Sequence, residues 1–204
     1  ILSPSHHISF KGVSIFNGHG YETPLGVVDI KEKLLNQFKA DSPLIQCVPE
    51  AHEREHGIEV QLPFLQEIYK EKHFSILPIV FGDKSGDTIN TLSQLIITHC
   101  DPDNTLIIAS SDMSHFYTYD KAKEMDLRAL QYLKNGNIDG LKENEVTRDI
   151  EFCGFAPILV LLGIMKVWNC SNVDVLDYCN SGDITGDHSR VVGYGSVVYS
   201  KKRV

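Results

Sequence analysis

Apolar residues recur along this chain with two different spacings, which predict strands alternating with helices. Short apolar runs between turn residues predict strands, at residues 1–4, 12–16, 44–48, 74–81, 105–109, 173–178 and 191–199. Apolar residues three and four positions apart predict helices, at residues 29–38, 55–69, 88–99, 120–133 and 155–168. This alternation favours an α/β fold with a central mixed, largely parallel sheet flanked by helices.

The size of the chain is that of one domain. Its 204 residues can bury a substantial core, so we expect a single domain over 1–204. Hydrophobic residues make up 42% and charged residues 23% of the chain, as in ordinary globular proteins. The sequence opens at Ile1-Leu2, without Met and inside a predicted strand. We therefore expect one or more N-terminal strands upstream.

Charge, hydropathy and cysteine content argue against nucleic-acid binding, a membrane span and a disulfide framework. The net charge is −8 and the basic cluster Lys201-Lys202-Arg203 is short, which argues against nucleic-acid binding. The longest apolar stretch, 155–167, is shorter than the about 20 residues of a membrane span. Five cysteines, without a CxxC pair, argue against a disulfide framework. We expect a cytoplasmic protein with reduced thiols.

Residues capable of metal or proton chemistry follow the predicted strands. In open α/β sheets, ligands bind beyond the carboxyl ends of the strands. There His6 or His7 is a candidate metal ligand or acid–base group, the alternative being a loop histidine bonded to the backbone. Asp112 and His115 are three residues apart, so His115 could be a ligand or proton shuttle oriented by Asp112. Alternatively, Asp112 caps the following turn.

Cys153 lies just before the apolar helix 155–168. A helix N-terminus stabilises anions, so we expect a lowered pKa for the Cys153 thiol and a thiolate available as ligand or nucleophile. The alternative is a buried, inert cysteine. Near the C-terminus, Arg190 and Tyr194 are weaker candidates for lining the same crevice.

Residues 52–56 read HEREH and satisfy the H-E-x-x-H pattern of zinc proteases. That chemistry needs both histidines on one face in the middle of a helix. Val48-Pro49 before the motif and Gly57 after it leave little room for such a helix. A zinc protease is therefore an alternative that the surrounding sequence disfavours.

Taken together in chain order, the motifs resemble those of the Memo family. They are SPSHH at 3–7, YETPLG at 21–26, EHGIEVQLPF at 55–64, SSDMSH at 110–115, CGFAPI at 153–158, and SGD at 181–183 followed by RVVGY at 190–194. The resemblance runs the full length of the chain. It also disfavours the protease, because HEREH falls where the family has EHxIE.

The resemblance implies a fold similar to the class III extradiol (LigB-like) non-haem iron dioxygenases. It implies that His6 and Cys153 are metal ligands and that Asp112 and His115 lie near the same pocket. A further family histidine belongs to a Pro-His-Ala-Gly motif that this sequence lacks, so metal occupancy of this chain could be reduced. A thiolate with imidazoles suits iron or copper better than magnesium or calcium.

Two functions remain open at this point. The first is a metal-dependent redox enzyme, with Asp112 and His115 as acid–base or orienting groups and with His56 and Glu59 beside them. The second is a non-catalytic adaptor that binds a peptide or protein in the former enzyme pocket. The resemblance suggests phosphotyrosine peptides or signalling proteins in cell motility as partners, or AMMECR and radical SAM proteins in microbes.

Overall fold

Parallel and antiparallel strand pairs occur together in this protein, which a computed structural model describes over residues 1–70 and 72–202. The described residues form two compact units. Unit 1 consists of those within 1–110 together with 156–161, and unit 2 of 111–155 and those from 162 onward. Arg203 of the basic tail lies outside the described residues.

Unit 1 contains a four-stranded and a three-stranded sheet, with strand orders β1-β7-β2-β5 and β3-β4-β6. The strands are β1 Leu2–Pro4, β2 Val13–Ile15, β3 Gly20–Thr23, β4 Gly26–Ile30, β5 Ile45–Gln46, β6 Ser75–Ile76 and β7 Ile79–Phe81, and the helices are α1 Glu32–Asp41, α2 Leu62–Ile68 and α3 Gly86–His99. Strand β1 runs parallel to β7, and β2 is antiparallel to it. All residues of these three strands are buried. The loops that begin and end at these strands therefore start from fixed positions.

Unit 2 contains the three-stranded antiparallel sheet β8-β10-β9. Its elements are β8 His115–Tyr117, α4 Tyr119–Lys134, α5 Ile138–Thr147, β9 Asn172–Asn180, α7 Ser181–Thr185 and β10 Val191–Ser200. Helix α4 packs on β9 and β10, because Met125, Ala129 and Leu130 form a buried stripe at helical spacing. The apolar helix α6 Phe155–Val167 has its ends in this unit, and most of its side chains are buried.

The fold is mixed α/β with partly parallel sheets, which confirms the predicted class. The predicted helices corresponding to α3, α4 and α6 are present, because their apolar spacing is a local property of the sequence. No helix among the described residues is long and apolar enough to cross a membrane.

Several predicted elements were wrong where pairing with distant strands decides the structure. Asp29 does not cap a helix: it lies in β4, opposite Gly20 and Ser75 of the neighbouring strands, and α1 begins at Glu32. The predicted strand 74–81 is interrupted around Pro78, which has no N–H to donate, and its halves join different sheets. The predicted strand 105–109 is only an extended segment bridged to β1 at Ala109. The predicted helix 55–69 begins only at Leu62.

Candidate metal and acid–base sites

His6 lies two residues beyond the end of β1 and is held by the buried carboxylate of Glu55. Its ring Nδ1 is 3.0 Å from each Glu55 oxygen, and its backbone N–H donates to Glu55 Oε2 at 3.0 Å. The Glu55 side chain is 1% exposed and that of His6 is 33% exposed. The imidazole is therefore fixed on its Nδ1 side.

Glu55 is stabilised as an anion although it is buried. Burial alone would raise the pKa of this carboxyl, but N–H groups of Gly57 and His6 and the His6 ring lower it below its usual range. The Gly57 N–H donates to Oε1 at 2.9 Å. A Cβ on Gly57 would lie 2.2 Å from Ser3 Oγ, so only glycine lets the chain pass here without displacing Ser3.

His56 stacks on His6, with ring centroids 5.3 Å apart and planes 13° apart. Donor atoms of His6, Glu55 and His56 all lie within 4.8 Å of one another, and no other metal-type cluster of this kind occurs over 1–70 and 72–202. Glu59 is exposed on a 3₁₀ turn outside this trio. Burial, with the negative charges of Glu59 and Glu55, raises the pKa of Tyr21.

His52, the first histidine of HEREH, is not available as a zinc ligand. Its Nε2 is 3.0 Å from Ser14 Oγ and its Nδ1 is 3.2 Å from the Tyr21 hydroxyl. Burial lowers the pKa of His52 to about 4. Residues 52–54 and 57–58 form turns and residues 55–56 are irregular, so the helix that a zinc protease requires is not formed here.

In unit 2, the Cys153 thiol lies among donors from the loop 111–112 and the start of α6. The Asp112 N–H donates to Sγ at 3.1 Å, and Ser111 Oγ lies 3.6 Å from Sγ. Ser111 Oγ also accepts the Gly154 N–H at 2.8 Å.

The predicted lowering of the Cys153 pKa was wrong. Burial raises the pKa of the thiol, and the nearby Asp112 charge adds to the effect, whereas the donors from Ser111, Asp112 and Gly154 oppose it. The start of α6 therefore does not by itself yield a thiolate. A cation bound to sulfur would have to displace the proton.

His115 lies between two carboxylates. Its Nε2 is 3.9 Å from Asp112 Oδ2, and its Nδ1 is 3.5 Å from Glu151 Oε1. Both distances are longer than ordinary hydrogen bonds. Each ring nitrogen nevertheless faces a carboxylate, the kind of neighbour with which an imidazole can exchange a proton.

Asp126 of α4 anchors the loop that carries Asp112 and His115. Its carboxyl group accepts from the Ser114 N–H at 3.0 Å, the Ser114 hydroxyl at 3.1 Å and the Tyr178 hydroxyl at 2.9 Å. Burial raises the pKa of Asp126 in spite of these donors. A Cβ on Gly193 would lie 1.8 Å from Asp126 Oδ2, so β10 needs glycine at this contact.

Sequence reasoning proposed His6, His56, Asp112, His115 and Cys153 as site residues but did not single out three carboxylates that position these segments. Glu55 was visible inside the EHGIE motif, next to His56. Glu151 precedes Cys153 by two residues, and Asp126 was treated only as part of an amphipathic helix. Their partners are distant in sequence, so no local pattern identifies these three carboxylates.

Comparison with known proteins identifies the family. The family model described as "Memo-like protein" matches residues 1–198. A MEMO1 family protein of Methanobrevibacter smithii is 35% identical over 98% of this chain and 71% of its own length. A second, from Aquifex aeolicus, is 34% identical over 98% of this chain and 74% of its own length. A third, from Thermoplasma volcanium, is 32% identical over 97% and 72%. The chain therefore belongs to the Memo-like protein family.

Proposed function

We propose that this protein binds a redox metal, iron or copper, with His6 as one of its ligands. The observation that supports this proposal is the contact between His6 Nδ1 and the ionised Glu55. A carboxylate on one ring nitrogen fixes the tautomer and leaves the lone pair of Nε2 for a metal. Metal-binding histidines in proteins are commonly oriented in this way.

The donors near His6 fit such a metal. His56 offers a second imidazole stacked on the first. Glu55 already accepts two backbone N–H groups and the His6 ring, so it is better suited to orienting His6 than to binding the ion itself. Imidazole nitrogen is a ligand that iron and copper accept.

We propose Cys153 of unit 2 as a metal-binding thiol, supported by the family resemblance. Metal binding to its sulfur would release the thiol proton. A bound iron or copper would supply Lewis acidity and electron transfer. His115, beside Asp112 and Glu151, would hold and release a proton at its ring. His56 and Glu59 are proposed as additional acid–base groups in unit 1.

The proposal is tested by metal affinity. The chain, freed of metal by a chelator, is titrated anaerobically with Fe(II) and with Cu(I) against a competing chelator, and bound metal is quantified by elemental analysis. We expect His6→Ala to abolish binding and Glu55→Gln to weaken it by about 10- to 100-fold. Cys153→Ala should weaken it as well, because a ligand is lost.

His7→Ala is the matched control, because His7 is adjacent and exposed and its ring contacts only the Arg54 carbonyl among its side-chain hydrogen bonds in the described chain. It should bind metal like the unmodified protein. If His6→Ala binds as tightly as His7→Ala, the metal proposal is wrong. If His6→Ala and Glu55→Gln weaken metal binding but Cys153→Ala does not, the thiol is not a ligand.

An adaptor is the second candidate, because unit 1 exposes an apolar stripe. Val60, Phe64 and Ile68 are exposed at a spacing of four residues, and contiguous exposed apolar surface marks sites of protein–protein contact. The partner would be a peptide or signalling protein, or an AMMECR or radical SAM protein. Oxygen uptake by the metal-loaded protein with a panel of catechols separates the two functions. Turnover that His115→Ala abolishes would exclude a purely non-catalytic adaptor.

A further inference from the structure

Phe116 is an exposed aromatic residue with a backbone conformation that aromatic residues seldom adopt. It is the second residue of β8, its φ is +64° and the residue is 60% exposed. The strand partner β10 shifts register beside it, between Val191 and Val192. Little burial offsets this strain, and strain of this kind is concentrated at functional sites.

Arg190 is held over the ring of Phe116, with its Cζ 4.9 Å from the ring centroid. The residue is exposed, and no carboxylate lies within salt-bridge distance of it across the described chain. The neighbouring Asp187 instead accepts from the Ser189 N–H and hydroxyl. The guanidinium is thus positioned by the ring while its N–H groups remain free to bind a ligand.

Phe116 contacts both this arginine and the acid–base group of unit 2. Its ring centroid is 5.9 Å from that of His115 and 4.9 Å from Arg190 Cζ, so the imidazole and the guanidinium share one aromatic neighbour. A guanidinium presents a planar fork of donors that matches the two oxygens of a carboxylate or phosphate group. The chain has a net charge of −8, so most of its surface repels anions. An arginine that no carboxylate pairs with among the described residues is therefore an unusual position for anion binding.

We propose that Arg190, positioned by Phe116, binds the oxyanion of a small organic carboxylate or phosphate and places the rest of that ligand beside His115. The strained backbone of Phe116 is the cost of presenting its ring at this position. The inference adds a ligand class to the proposed function but does not need the metal. It is therefore tested on metal-free protein, where failure of the metal site has no effect on the result.

Phenyl phosphate and benzoate are the probes, titrated into the metal-free chain by calorimetry, with benzylamine as the probe of opposite charge. We expect either anion to bind and the amine not to bind. Arg190→Gln should weaken binding by about tenfold or more, as for loss of charged hydrogen bonds. Binding of phenyl phosphate alone would assign the oxyanion as a phosphate, whereas binding of both anions would assign it as either group.

Arg128→Gln is the matched control, because it removes the same charge from an arginine already paired with Glu124 at 2.9 Å. It should change affinity by less than about twofold, as expected for an exposed charge that is already paired with a carboxylate. Equal losses in Arg190→Gln and Arg128→Gln, or no anion binding to the unmodified chain, would overturn the proposal.

Phe116→Gly separates ligand binding from a structural role. Glycine tolerates a positive φ, so this variant should unfold at a denaturant concentration no lower than the unmodified chain. It should nevertheless lose affinity for the anions as Arg190→Gln does, because the guanidinium is no longer positioned. A variant that is less stable and binds normally would show that Phe116 is structural.

Discussion

The two units each contain a buried carboxylate that organises the loop beside it, yet the two groups have opposite pKa shifts. Glu55 in unit 1 has a lowered pKa, whereas Asp126 in unit 2 has a raised pKa. Both groups are almost fully excluded from solvent. Burial is therefore not what distinguishes them.

The difference lies in the donors. Glu55 accepts two backbone N–H groups and lies against the ring of His6, which can carry a positive charge. Asp126 accepts one backbone N–H and two neutral hydroxyls. Fixed N–H dipoles and a cationic partner hold a carboxylate ionised, and hydroxyls do so less well. Glu55 is thus suited to orienting a charged or metal-bound imidazole, and Asp126 to anchoring a loop.

The largest expected effect comes from replacing the glycine that lies beside each carboxylate. Gly193→Ala places a methyl group 1.8 Å from Asp126 Oδ2, and the three hydrogen bonds of Asp126 prevent it from moving away. We expect a loss of about 3 kcal/mol in the free energy of unfolding, measured with urea. Gly57→Ala meets Ser3 Oγ at 2.2 Å, but this hydroxyl can rotate, so the loss should be about 1 kcal/mol.

The pair Ser3→Ala and Gly57→Ala checks this explanation. Removing the Ser3 hydroxyl takes away the atom that the new methyl group contacts, so the double variant should be more stable than Gly57→Ala alone. If the double variant is no more stable, or if Gly57→Ala is as damaging as Gly193→Ala, the two glycines do not differ in the way proposed.

The second-largest effect compares backbone N–H groups, which can only donate, with hydroxyl groups, which can rotate and accept a hydrogen bond instead. In Glu55→Gln, one side-chain position becomes an NH2 group facing either the Gly57 or the His6 backbone N–H, because these contact different oxygens. A buried N–H then loses its acceptor, at a cost of about 2 kcal/mol. In Asp126→Asn, the Ser114 and Tyr178 hydroxyls can rotate to accept from the NH2 group instead. That variant should lose less than about 1 kcal/mol.

Urea unfolding of the two amide variants measures the contrast directly. A larger loss for Asp126→Asn than for Glu55→Gln would contradict it, and would mean that the hydroxyls at Asp126 are fixed by other contacts.

What the sequence could predict follows from how local each feature is. Helix α4 was predictable because Met125, Ala129 and Leu130 share one face whatever the rest of the chain does. Strand β4 was missed because Asp29 pairs with Gly20 and Ser75, which are brought together only by the fold. The alternation of predicted strands and helices supplied the fold class, because it depends on the order of the elements and not on which strands pair.

The candidate site divides in the same way. Residue type and motif led to the prediction of His6, His115 and Cys153 as site residues, but not to the carboxylate that holds His6, 49 residues away in sequence. The pKa of Cys153 was predicted with the wrong sign because the position before α6 was visible, while the burial that outweighs it was not. The strained φ of Phe116 has no sequence signal at all, since phenylalanine is a poor residue for that conformation.

The smallest effect concerns the pH dependence of stability and compares a half-buried base, His52, with a buried acid, Asp126. Burial favours the neutral form of both groups, so it lowers the pKa of His52 from 6.5 to about 4 and raises that of Asp126 above 3.8. Between about pH 4 and pH 6.5 the folded chain binds fewer protons at His52 than the unfolded chain does. The stability contributed by His52 is therefore lost as the pH falls through this window.

Asp126 acts in the opposite direction. Its folded form binds more protons than its unfolded form above pH 3.8, so its contribution to stability is lost as the pH rises through its folded pKa.

The full pKa shift of His52 would correspond to about 3 kcal/mol of stability, and partial exposure of the ring reduces our expectation to about 1.5 kcal/mol. Urea unfolding across the window should give a flatter pH dependence for His52→Gln. His7→Gln, at an exposed position, should follow the unmodified chain. Relative to that chain, Asp126→Asn should gain stability as the pH rises, because the amide never ionises. If His52→Gln follows the unmodified chain throughout, the ring is protonated in the folded state, and burial by Ser14 and Tyr21 does not govern its titration.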